Sequence, residues 1–366
     1  MWTVAAVTDT YLPTVNGVSY TVRTWRERWR RRGGEMPVVY PATAARSPDP
    51  GECPVPSVPF PFYTGFRIAA PTVPGSVRER GPDVVHAHTP FALGIAGRRL
   101  AAALEVPFVV SYHTPAAEYA GYLSDALEGP IRRIADGYER LFLSGADAVI
   151  APSRDAAESL RANGTPTHVV SNGVDTERFR PVDDGTVRAF ERRYGLLDRP
   201  LIGYTGRHGH EKRLGDVLDA TADVDAAVVF AGDGPARPGL ERRAAGRDDV
   251  SFLGFLDRSE LPAFYSALDA FVFPSPVETQ GLVALEAIAC GTPVVAAAAG
   301  ALTETVIDGE TGTHFPPGDT AALEGAIERT LRGSERLPTR LEERRRRLCV
   351  DRSIDDLEAV YESVLE

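Results

Sequence analysis

The chain has 366 residues, of which 43% are hydrophobic and 25% charged, and its formal net charge is −11 at pH 7. This length exceeds what one domain usually holds, so we predict two domains of similar size. The negative charge argues against general nucleic-acid binding, and three widely spaced cysteines argue against a disulfide framework. No leader-like segment opens the sequence and no apolar run approaches about 18 residues, which predicts a cytoplasmic protein without a signal peptide or spanning helix.

Short apolar segments alternate with helical patterns along the chain. The predicted strands are Val4–Thr8, Pro37–Tyr40, Asp83–His88, Phe108–His113, Ala148–Ala151 and His168–Ser171 in the first half, and Leu201–Tyr204, Ala227–Ala231, Val250–Leu253, Ala270–Phe273 and Pro293–Ala297 in the second. Most are wholly apolar, as is typical of parallel strands covered on both faces. The alternation predicts two doubly wound α/β domains, residues 1–177 and 178–352, and an amphipathic helix within 353–366 that could pack back on the first.

The strand Leu201–Tyr204 is followed by a loop that contains Arg207 and Lys212. Both residues therefore lie near the carboxyl end of a parallel strand, where open α/β sheets bind ligands. An arginine and a lysine at such an edge suit a diphosphate, although most such residues are solvated surface charges. Composition favours the binding site, because Lys212 is the only lysine among 40 lysines and arginines.

Two further segments of the second half fit a nucleotide site. In FAGDGP, Gly232 and Gly234 would let the backbone approach a base or phosphate, although a simple strand-to-helix turn has the same sequence features. A helix predicted from about Gly281 to Cys290 would present the amides of Gly281 and Leu282 to an anion.

Two glutamates accompany this helix. Glu278 stands in the loop before it and is placed to accept hydrogen bonds from sugar hydroxyls. Glu286 lies inside the helix with apolar neighbours on all sides. Since a buried glutamate needs a partner, we expect the two ribose hydroxyls of a nucleotide to supply it.

Arg207, Lys212, AGDGP, the Glu278/Glu286 pair and GTPVVA, in this order and spacing, resemble the retaining glycosyltransferases of family 4. The resemblance covers essentially the whole chain and implies the GT-B fold, two Rossmann-like domains facing across a cleft. It implies that Arg207 and Lys212 bind the donor diphosphate, that Glu278 contacts the transferred sugar and that Glu286 contacts the ribose. It also implies a UDP- or GDP-linked sugar as co-substrate, no cofactor and no metal ion; no Asp-x-Asp follows a strand here to hold one.

The first half supplies the other predicted part of the site. Asn16-Gly17 forms a turn before a helix, and the matching loop of the family brings backbone amides to the donor phosphate. His113, at a strand end, resembles the active-site histidine of the family. A metal site made by His86, His88 and His113 is a less favoured alternative, because no carboxylate follows at ligand spacing.

The helix after Gly17 reads VSYTVRTWRERWRRRGG, with an apolar stripe and six arginines that we predict on the opposite side. Such a basic helix, Arg23–Arg32, could hold the protein on the anionic inner face of the cell membrane. TDTYLPTVNGVS and SYHTPAAEYAGYL also resemble the branch of the family that glycosylates membrane lipids. We therefore expect a lipid-linked or glycan acceptor, with Asp9, Tyr11 and Tyr119 on the acceptor side.

These features predict a hexosyltransferase of glycolipid or cell-envelope polysaccharide synthesis, with His113, Arg207, Lys212 and Glu278 as catalytic residues. The first half shows no well-placed carboxylate nucleophile, and the family is thought to work by same-face attack, in which the departing phosphate deprotonates the acceptor hydroxyl. Two other classes stay open: a sugar-nucleotide 2-epimerase, which shares the GT-B fold, and a non-catalytic nucleotide-sugar-binding protein. A dehydrogenase is not expected, because no Gly-x-Gly-x-x-Gly follows a strand.

Overall fold

The computed structural model describes residues 1–60, 66–113, 128–160, 164–196, 199–333 and 344–366. Met1–Asn172 and Val350–Glu366 form an N-terminal unit, and Gly173–Cys349 forms a C-terminal unit. The predicted domain limits, residues 177 and 352, lie five and three residues after the limits of these units. Within the described ranges, no helix is long and apolar enough to cross a bilayer.

The N-terminal unit is built on a 7-stranded sheet of order β3-β2-β1-β6-β7-β8-β9, in which every neighbouring pair is parallel. Strands β4 and β5 form a separate antiparallel hairpin. The strands are β1 (Val4–Val7), β2 (Val38–Pro41), β3 (Glu52–Val55), β4 (Ser57–Pro59), β5 (Arg67–Ala69), β6 (Val84–Ala87), β7 (Phe108–Ser111), β8 (Ala148–Ala151) and β9 (Thr167–Val169). The helices are α1 (Gly17–Arg31), α2 (Gly75–Arg78), α3 (Ala92–Leu104), α4 (Glu128–Leu143), α5 (Arg154–Leu160) and the C-terminal helix (Val350–Leu365).

The wholly apolar composition of β1 follows from its place inside this sheet. Val4 and Ala6 pack into one hydrophobic cluster, which includes α1 and the C-terminal helix, whereas Ala5 and Val7 pack into another, which includes α3. Successive side chains of a strand point to opposite faces, so a strand covered on both faces has no polar side.

The C-terminal helix packs against α1 within the N-terminal unit. Trp29 of α1 lies edge-on to Tyr361, with the ring centroids 5.3 Å apart. Arg32 Nη1 lies 2.5 Å from Asp355 Oδ1. The helix begins at Val350, so it is longer than the predicted segment 353–366.

The prediction that the six arginines between Arg23 and Arg32 share one solvent-facing side is wrong for two of them. Arg26 and Arg28 are only 4% and 5% exposed. Arg26 donates to the carbonyls of Met36 and Pro50, and Arg28 Nη1 lies 3.7 Å from Asp351 Oδ2. Residues distant in sequence therefore neutralise part of the charge that the sequence assigned to a basic surface.

The C-terminal unit has a 6-stranded parallel sheet of order β12-β11-β10-β13-β14-β15 around one hydrophobic core. The strands are β10 (Leu201–Thr205), β11 (Ala227–Ala231), β12 (Val250–Gly254), β13 (Ala270–Phe273), β14 (Val294–Ala297) and β15 (Gly312–Phe315). The helices are α6 (Asp184–Tyr194), α7 (Leu214–Ala220), α8 (Arg237–Arg243), α9 (Leu261–Ala267), α10 (Leu282–Ala289), α11 (Leu302–Thr305) and α12 (Thr320–Arg332), and a 3₁₀ turn spans His210–Lys212.

Candidate active site

The strand order of the C-terminal unit creates a switch point between β10 and β13. The chain leaves β10 towards β11 and β12 on one side, and β13, β14 and β15 follow on the other. Ligands of open α/β sheets bind beyond the carboxyl ends of the strands at such a point. The segments that leave these two ends, 206–213 and 274–281, carry four of the nine predicted donor-binding residues: Arg207, Lys212, Glu278 and Gly281.

Two of the predicted catalytic residues meet at this point. Lys212 Nζ lies 2.5 Å from Glu278 Oε1, and the two side chains are 17% and 13% exposed. Lys212 comes from the 3₁₀ turn after β10 and Glu278 from the loop after β13, so the fold joins residues 66 positions apart. The pair places a cation directly beside a hydrogen-bond acceptor.

Arg207, the other predicted phosphate ligand, also has an acidic neighbour. Its Nη2 lies 2.5 Å from Glu211 Oε1. Tyr204, buried below, donates to the Arg207 carbonyl oxygen at 3.2 Å. Burial raises the pKa of Tyr204 well above its usual value, and the charges of Glu278 and Glu211 raise it further. The tyrosine therefore stays protonated and remains a donor under the loop.

Gly232 lets the turn after β11 lie against the 206–213 loop. Its φ is +110°, and a Cβ there would stand 2.0 Å from the carbonyl oxygen of Gly206. Only glycine avoids both the backbone strain and the collision. Gly232, predicted to lie close to a base or phosphate, thus lies close to the backbone of the neighbouring loop at Gly206.

His208 fastens the same two segments together. Its backbone N–H donates to Asp233 O at 2.8 Å, and its carbonyl accepts from Ala236 N at 2.9 Å. Its Nε2 lies 3.2 Å from Ala231 O, and because a carbonyl only accepts, Nε2 must carry the proton. His208 is fully buried. Because Arg207 is the preceding residue, the hydrogen bonds of His208 also hold the backbone of Arg207 in place.

Helix α10 begins at the carboxyl end of β13. Gly281 precedes it with a φ of +80°, and a Cβ there would lie 2.9 Å from both Phe273 and Leu302 side chains. The amide of Leu282, in the first turn, has no acceptor within the helix. The predicted helix thus begins next to Gly281 with amides that the helix itself does not use, and their binding of an anion stays a prediction.

Glu286, predicted to need a ribose as its partner, has partners within the protein. Tyr265 donates its hydroxyl to Glu286 Oε2 at 3.0 Å, and Arg258 Nη1 lies 3.2 Å from Oε1. Burial raises the pKa of Glu286, while Arg258 and Tyr265 oppose that change. A ligand is therefore not needed to explain why this carboxylate is buried, and its contact with a ribose stays a prediction.

In the N-terminal unit, the Asp9 carboxylate caps α3. It accepts from Thr89 Oγ1 at 2.7 Å and from the Leu93 amide at 3.1 and 3.2 Å. Asp9 is 3% exposed, and burial raises its pKa while these bonds lower it. The structure thus gives Asp9 a structural role, and its predicted contact with an acceptor stays untested.

Asn16 is the N-cap of α1. Its Oδ1 accepts from the Ser19 amide at 2.8 Å, and its Nδ2 donates to Thr10 Oγ1 at 2.7 Å. Gly17, the first helical residue, is exposed. Its amide has no acceptor inside the helix, as a phosphate-binding amide would require.

His86, His88 and His113, which the sequence offers as an alternative metal site, form a stack beside Trp25. His86 bonds Tyr361 through Nδ1 at 2.6 Å and Ser111 through Nε2 at 2.8 Å. His88 Nδ1 lies 3.1 Å from His113 Nε2. Burial lowers the pKa of His86 to about 3 and of His113 to about 4, so both are neutral near pH 7.

The stack does not have the arrangement of a metal site. Both nitrogens of His86 are already used by protein groups. In the described part of the chain, no group of three or more His, Cys, Asp or Glu side chains is placed to hold a metal ion.

Of the two predicted acceptor-side tyrosines, Tyr11 is 3% exposed and donates to Glu52 Oε1 at 3.1 Å. Its ring, with that of Tyr40, covers a buried cluster that also contains Arg46 and Glu52. Tyr119 lies outside the described residues.

Glu211, His208, Tyr265 and Arg258 were not predicted as site residues. For Glu211 a signal was present, because it stands four residues after Arg207 on a stretch that forms a turn. Arg258 and Tyr265 come from the segment before and within α9, and only the folded structure brings them to Glu286.

Comparison with known proteins agrees with this geometry. Residues 15–178 match the model of Glycosyltransferase Family 4, and residues 188–348 match that of Glycosyl transferases group 1. A GDP-mannose-dependent alpha-mannosyltransferase of Mycobacterium tuberculosis is 33% identical over 86% of this chain and 84% of its own length. An alpha-monoglucosyldiacylglycerol synthase of Streptococcus pneumoniae is 30% identical over 79% of this chain and 69% of its own length.

Among solved structures, a sucrose-phosphate synthase from Thermosynechococcus elongatus has a TM-score of 0.80, with 24% identity and 99% of both chains covered. The predicted GT-B fold, two Rossmann-like α/β domains, is confirmed. The predicted class of enzyme is confirmed as well. This chain is a glycosyltransferase and belongs to glycosyltransferase family 4.

Proposed function

We propose that this enzyme transfers a hexose from a UDP- or GDP-linked sugar to a lipid or glycan acceptor, with retention of the anomeric configuration. The observation that carries the proposal is the Lys212–Glu278 pair beyond the carboxyl ends of β10 and β13. A diphosphate needs a cation and a sugar needs hydrogen-bond acceptors, and this pair offers both side by side. The names of the relatives, a GDP-mannose-dependent enzyme and a diacylglycerol-lipid synthase, support the same donor and acceptor classes.

The ion pairs Lys212–Glu278 and Arg207–Glu211 suggest how the nucleotide sugar binds. Lys212 exchanges Glu278 for a donor phosphate, and Glu278 then accepts from hydroxyls of the hexose. Arg207 exchanges Glu211 for the other phosphate in the same way. Each exchange replaces one charge-assisted contact by another, so the desolvation cost of these side chains is met before the donor binds.

In the proposed reaction, the bond between the sugar C1 and the β-phosphate oxygen breaks while the acceptor hydroxyl attacks the same face. The proton of that hydroxyl passes to the departing phosphate, and the new glycosidic bond forms on the original side. Negative charge grows on the diphosphate, where Arg207, Lys212 and the amide end of α10 stabilise it. We propose that these groups suffice without a metal ion.

The test is a screen of nucleotide sugars, GDP-mannose and UDP-glucose first, for nucleoside diphosphate release with and without diacylglycerol or membrane-lipid extract. NMR of the product gives the configuration at C1, and assays in EDTA test the role of metal. We expect an α-linked product from an α-linked donor and equal rates in EDTA. An inverted product, or a rate that requires added Mg²⁺ or Mn²⁺, would contradict the corresponding part of the proposal.

The same screen separates the alternative classes. An epimerase would return an epimerised nucleotide sugar, and a binding protein would return the donor unchanged. Either result, found for every donor tested, would remove the transferase proposal.

We also propose a cytoplasmic enzyme that meets its acceptor at the inner membrane surface. Since Arg26 and Arg28 are buried, the exposed Arg30 and Arg31 carry this part of the proposal. Sedimentation with anionic liposomes should be reduced in an Arg30→Ser/Arg31→Ser variant. Sedimentation that this variant leaves unchanged would contradict the role of α1.

A further inference from the structure

An ion pair in the C-terminal unit joins the loop after β12 to helix α10. Arg258 Nη1 lies 3.2 Å from Glu286 Oε1, and the two side chains are 17% and 7% exposed. The loop leaves the carboxyl end of β12, and α10 begins at the carboxyl end of β13. Because the strands are parallel, Arg258 approaches Glu286 from the edge of the sheet that also carries Lys212 and Glu278.

Two features hold the guanidinium of Arg258 in one orientation. Its Cζ lies 4.9 Å from the centroid of the Phe179 ring, which is fully buried. An arginine over an aromatic face gains cation–π attraction. The turn that carries the arginine is held as well, because Glu260 accepts from the Asp257 amide at 3.3 Å and from the Tyr194 hydroxyl at 2.9 Å. The guanidinium is therefore positioned by the protein alone.

The Glu286 carboxylate keeps acceptor capacity beside its protein partners. Tyr265 donates to Oε2 at 3.0 Å, and Arg258 lies beside Oε1. A carboxylate has about four lone-pair sites on its two oxygens. Within the described residues these are the polar contacts of the carboxylate, so each oxygen has a second site for a donor. Two adjacent hydroxyl groups match such a pair of oxygens.

The protonation of Glu286 depends on Arg258. Burial raises the pKa of Glu286, and the charge of Arg258 is the first of the effects that oppose this rise, ahead of Tyr265 and the exposed Arg178. Burial also raises the pKa values of Tyr265 and Cys290, so both stay neutral beside the carboxylate. Strands β13 and β14, which also pack against α10, have no titratable side chain. Without Arg258 the carboxyl group would therefore take up a proton at higher pH.

We propose that Arg258 is a positioning residue for the nucleotide, which orients the Glu286 carboxylate so that both oxygens accept hydrogen bonds from the ribose hydroxyls. The inference rests on the proposed function, because the ribose belongs to the UDP- or GDP-linked sugar. Arg258 also keeps the carboxyl group ionised. An ionised carboxylate accepts from both hydroxyls, whereas a protonated one has a donor on one oxygen. The ion pair thus makes the site prefer a ribonucleotide to a deoxynucleotide.

The test compares GDP and UDP with their 2′,3′-dideoxy counterparts, which keep the base and the diphosphate but lack both ribose hydroxyls. Calorimetric titrations between pH 6 and 9 give the ratio of the two affinities, in which the titration of the phosphate cancels. We expect the wild type to bind the ribonucleotide roughly ten- to a hundredfold more tightly. At pH 7 this preference should be roughly tenfold smaller in Arg258→Met, and it should recover in part as the pH rises to 9.

Two outcomes for Arg258→Met would overturn the proposal. A preference equal to that of the wild type at every pH would show that Arg258 does not act on Glu286. An equal loss of affinity for the ribonucleotide and the dideoxynucleotide, unchanged with pH, would make Arg258 a structural residue.

Two variants control for charge. Arg258→Lys keeps the positive charge and should keep more of the preference at pH 7 than Arg258→Met; an equal loss in both would overturn the electrostatic role. Arg193→Met removes a 67% exposed arginine that pairs with Glu260 of the same turn, and it should keep the wild-type preference. A loss in Arg193→Met as large as that in Arg258→Met would assign the effect to the turn and overturn the role of Arg258.

A double variant shows whether Arg258 acts through Glu286. Arg258→Met/Glu286→Gln leaves no unpaired buried charge, so it should fold even where Arg258→Met does not. Its preference for the ribonucleotide should equal the reduced preference of Glu286→Gln and should not change with pH. A further loss of the preference in the double variant would show that Arg258 contacts the ribose itself, and would overturn the positioning role.

The wild type keeps this inference apart from the proposed function. A wild type that binds GDP or UDP no better than the dideoxy counterpart at every pH overturns the inference and leaves the nucleotide-sugar donor in place. A wild type that binds none of the four compounds, and releases no nucleoside diphosphate from any sugar donor, refutes the proposed function and the inference with it.

Discussion

Replacing Lys212 by methionine removes the ammonium and keeps most of the apolar stem. The partners are 17% and 13% exposed, so the pair lies between surface pairs, worth about 0–1 kcal/mol, and buried pairs, whose disruption costs about 3–5 kcal/mol. We expect the free energy of unfolding to fall by roughly 1–2 kcal/mol. Loss of one group that stabilises the departing diphosphate should cost about 3–4 kcal/mol in the transition state, or roughly 10²–10³-fold in kcat/KM.

The assay is a double-mutant cycle of Lys212→Met and Glu278→Gln, with kcat/KM and urea unfolding measured on each variant. If Lys212 only neutralises Glu278, the double variant regains both stability and turnover. If both residues act on the donor, the double variant regains stability but stays as inactive as the worse single variant, or becomes less active. Arg213→Met, which loses an exposed pair with Asp216, is the matched control and should keep near-wild-type turnover.

Recovery of turnover in the double variant would show that Lys212 only neutralises Glu278. Wild-type turnover in Lys212→Met would show that this ammonium does not stabilise the phosphate whose charge grows during the reaction.

Three other features of the structure can be tested by substitution. Burial lowers the pKa of His86 from 6.5 to about 3, so below pH 6.5 only the unfolded chain protonates this residue, and the free energy of unfolding should fall by roughly 1.4 kcal/mol per pH unit. Measured by urea unfolding between pH 6.5 and 5, the free energy of unfolding should depend less steeply on pH in His86→Gln than in the wild type. Equal pH dependence in the two proteins would contradict this prediction. Gly232→Ala should lose activity at least tenfold, because its Cβ would lie 2.0 Å from the backbone oxygen of Gly206. The control Gly246→Ala, whose Cβ would have no atom within 4 Å, should show only a loss of stability in thermal unfolding. Similar losses of activity in both variants would show that the close approach at Gly232 is not needed for activity. His208→Gln should keep a hydrogen-bond donor for Ala231 O, so it should bind the nucleotide sugar more tightly than His208→Leu of equal thermal stability. Equal KM values for the nucleotide sugar in the two variants would show that His208 does not position the loop.

Much of the fold was accessible from the sequence because most central strands are wholly apolar. Every predicted strand segment overlaps a strand of the structure. Those not predicted, β3, β4, β5 and β15, include proline, glycine or polar residues, such as Glu52 and Pro54 in β3. They lie at sheet edges or in the separate hairpin, where neighbours rather than composition decide the pairing.

Which side chains contact one another in the site could not be predicted from the sequence. The sequence contains Arg207, Lys212 and Glu278 at strand ends, and the parallel topology brings two of them together. It does not reveal that Tyr265 and Arg258 neutralise Glu286, or that Asp9 caps a helix that begins over 80 positions later. Such contacts depend on the packing of segments that are far apart in the chain, which periodicity does not encode.

We propose that Lys212 and its neighbours bind the diphosphate of a nucleotide sugar. The most direct test is calorimetric titration of GDP and UDP into the wild type and into Lys212→Met, in EDTA. We predict that at least one nucleotide binds the wild type without metal and binds the variant at least tenfold more weakly. Equal affinity of both proteins for every nucleotide, or binding only after a divalent metal is added, would contradict metal-independent binding of the diphosphate by Lys212.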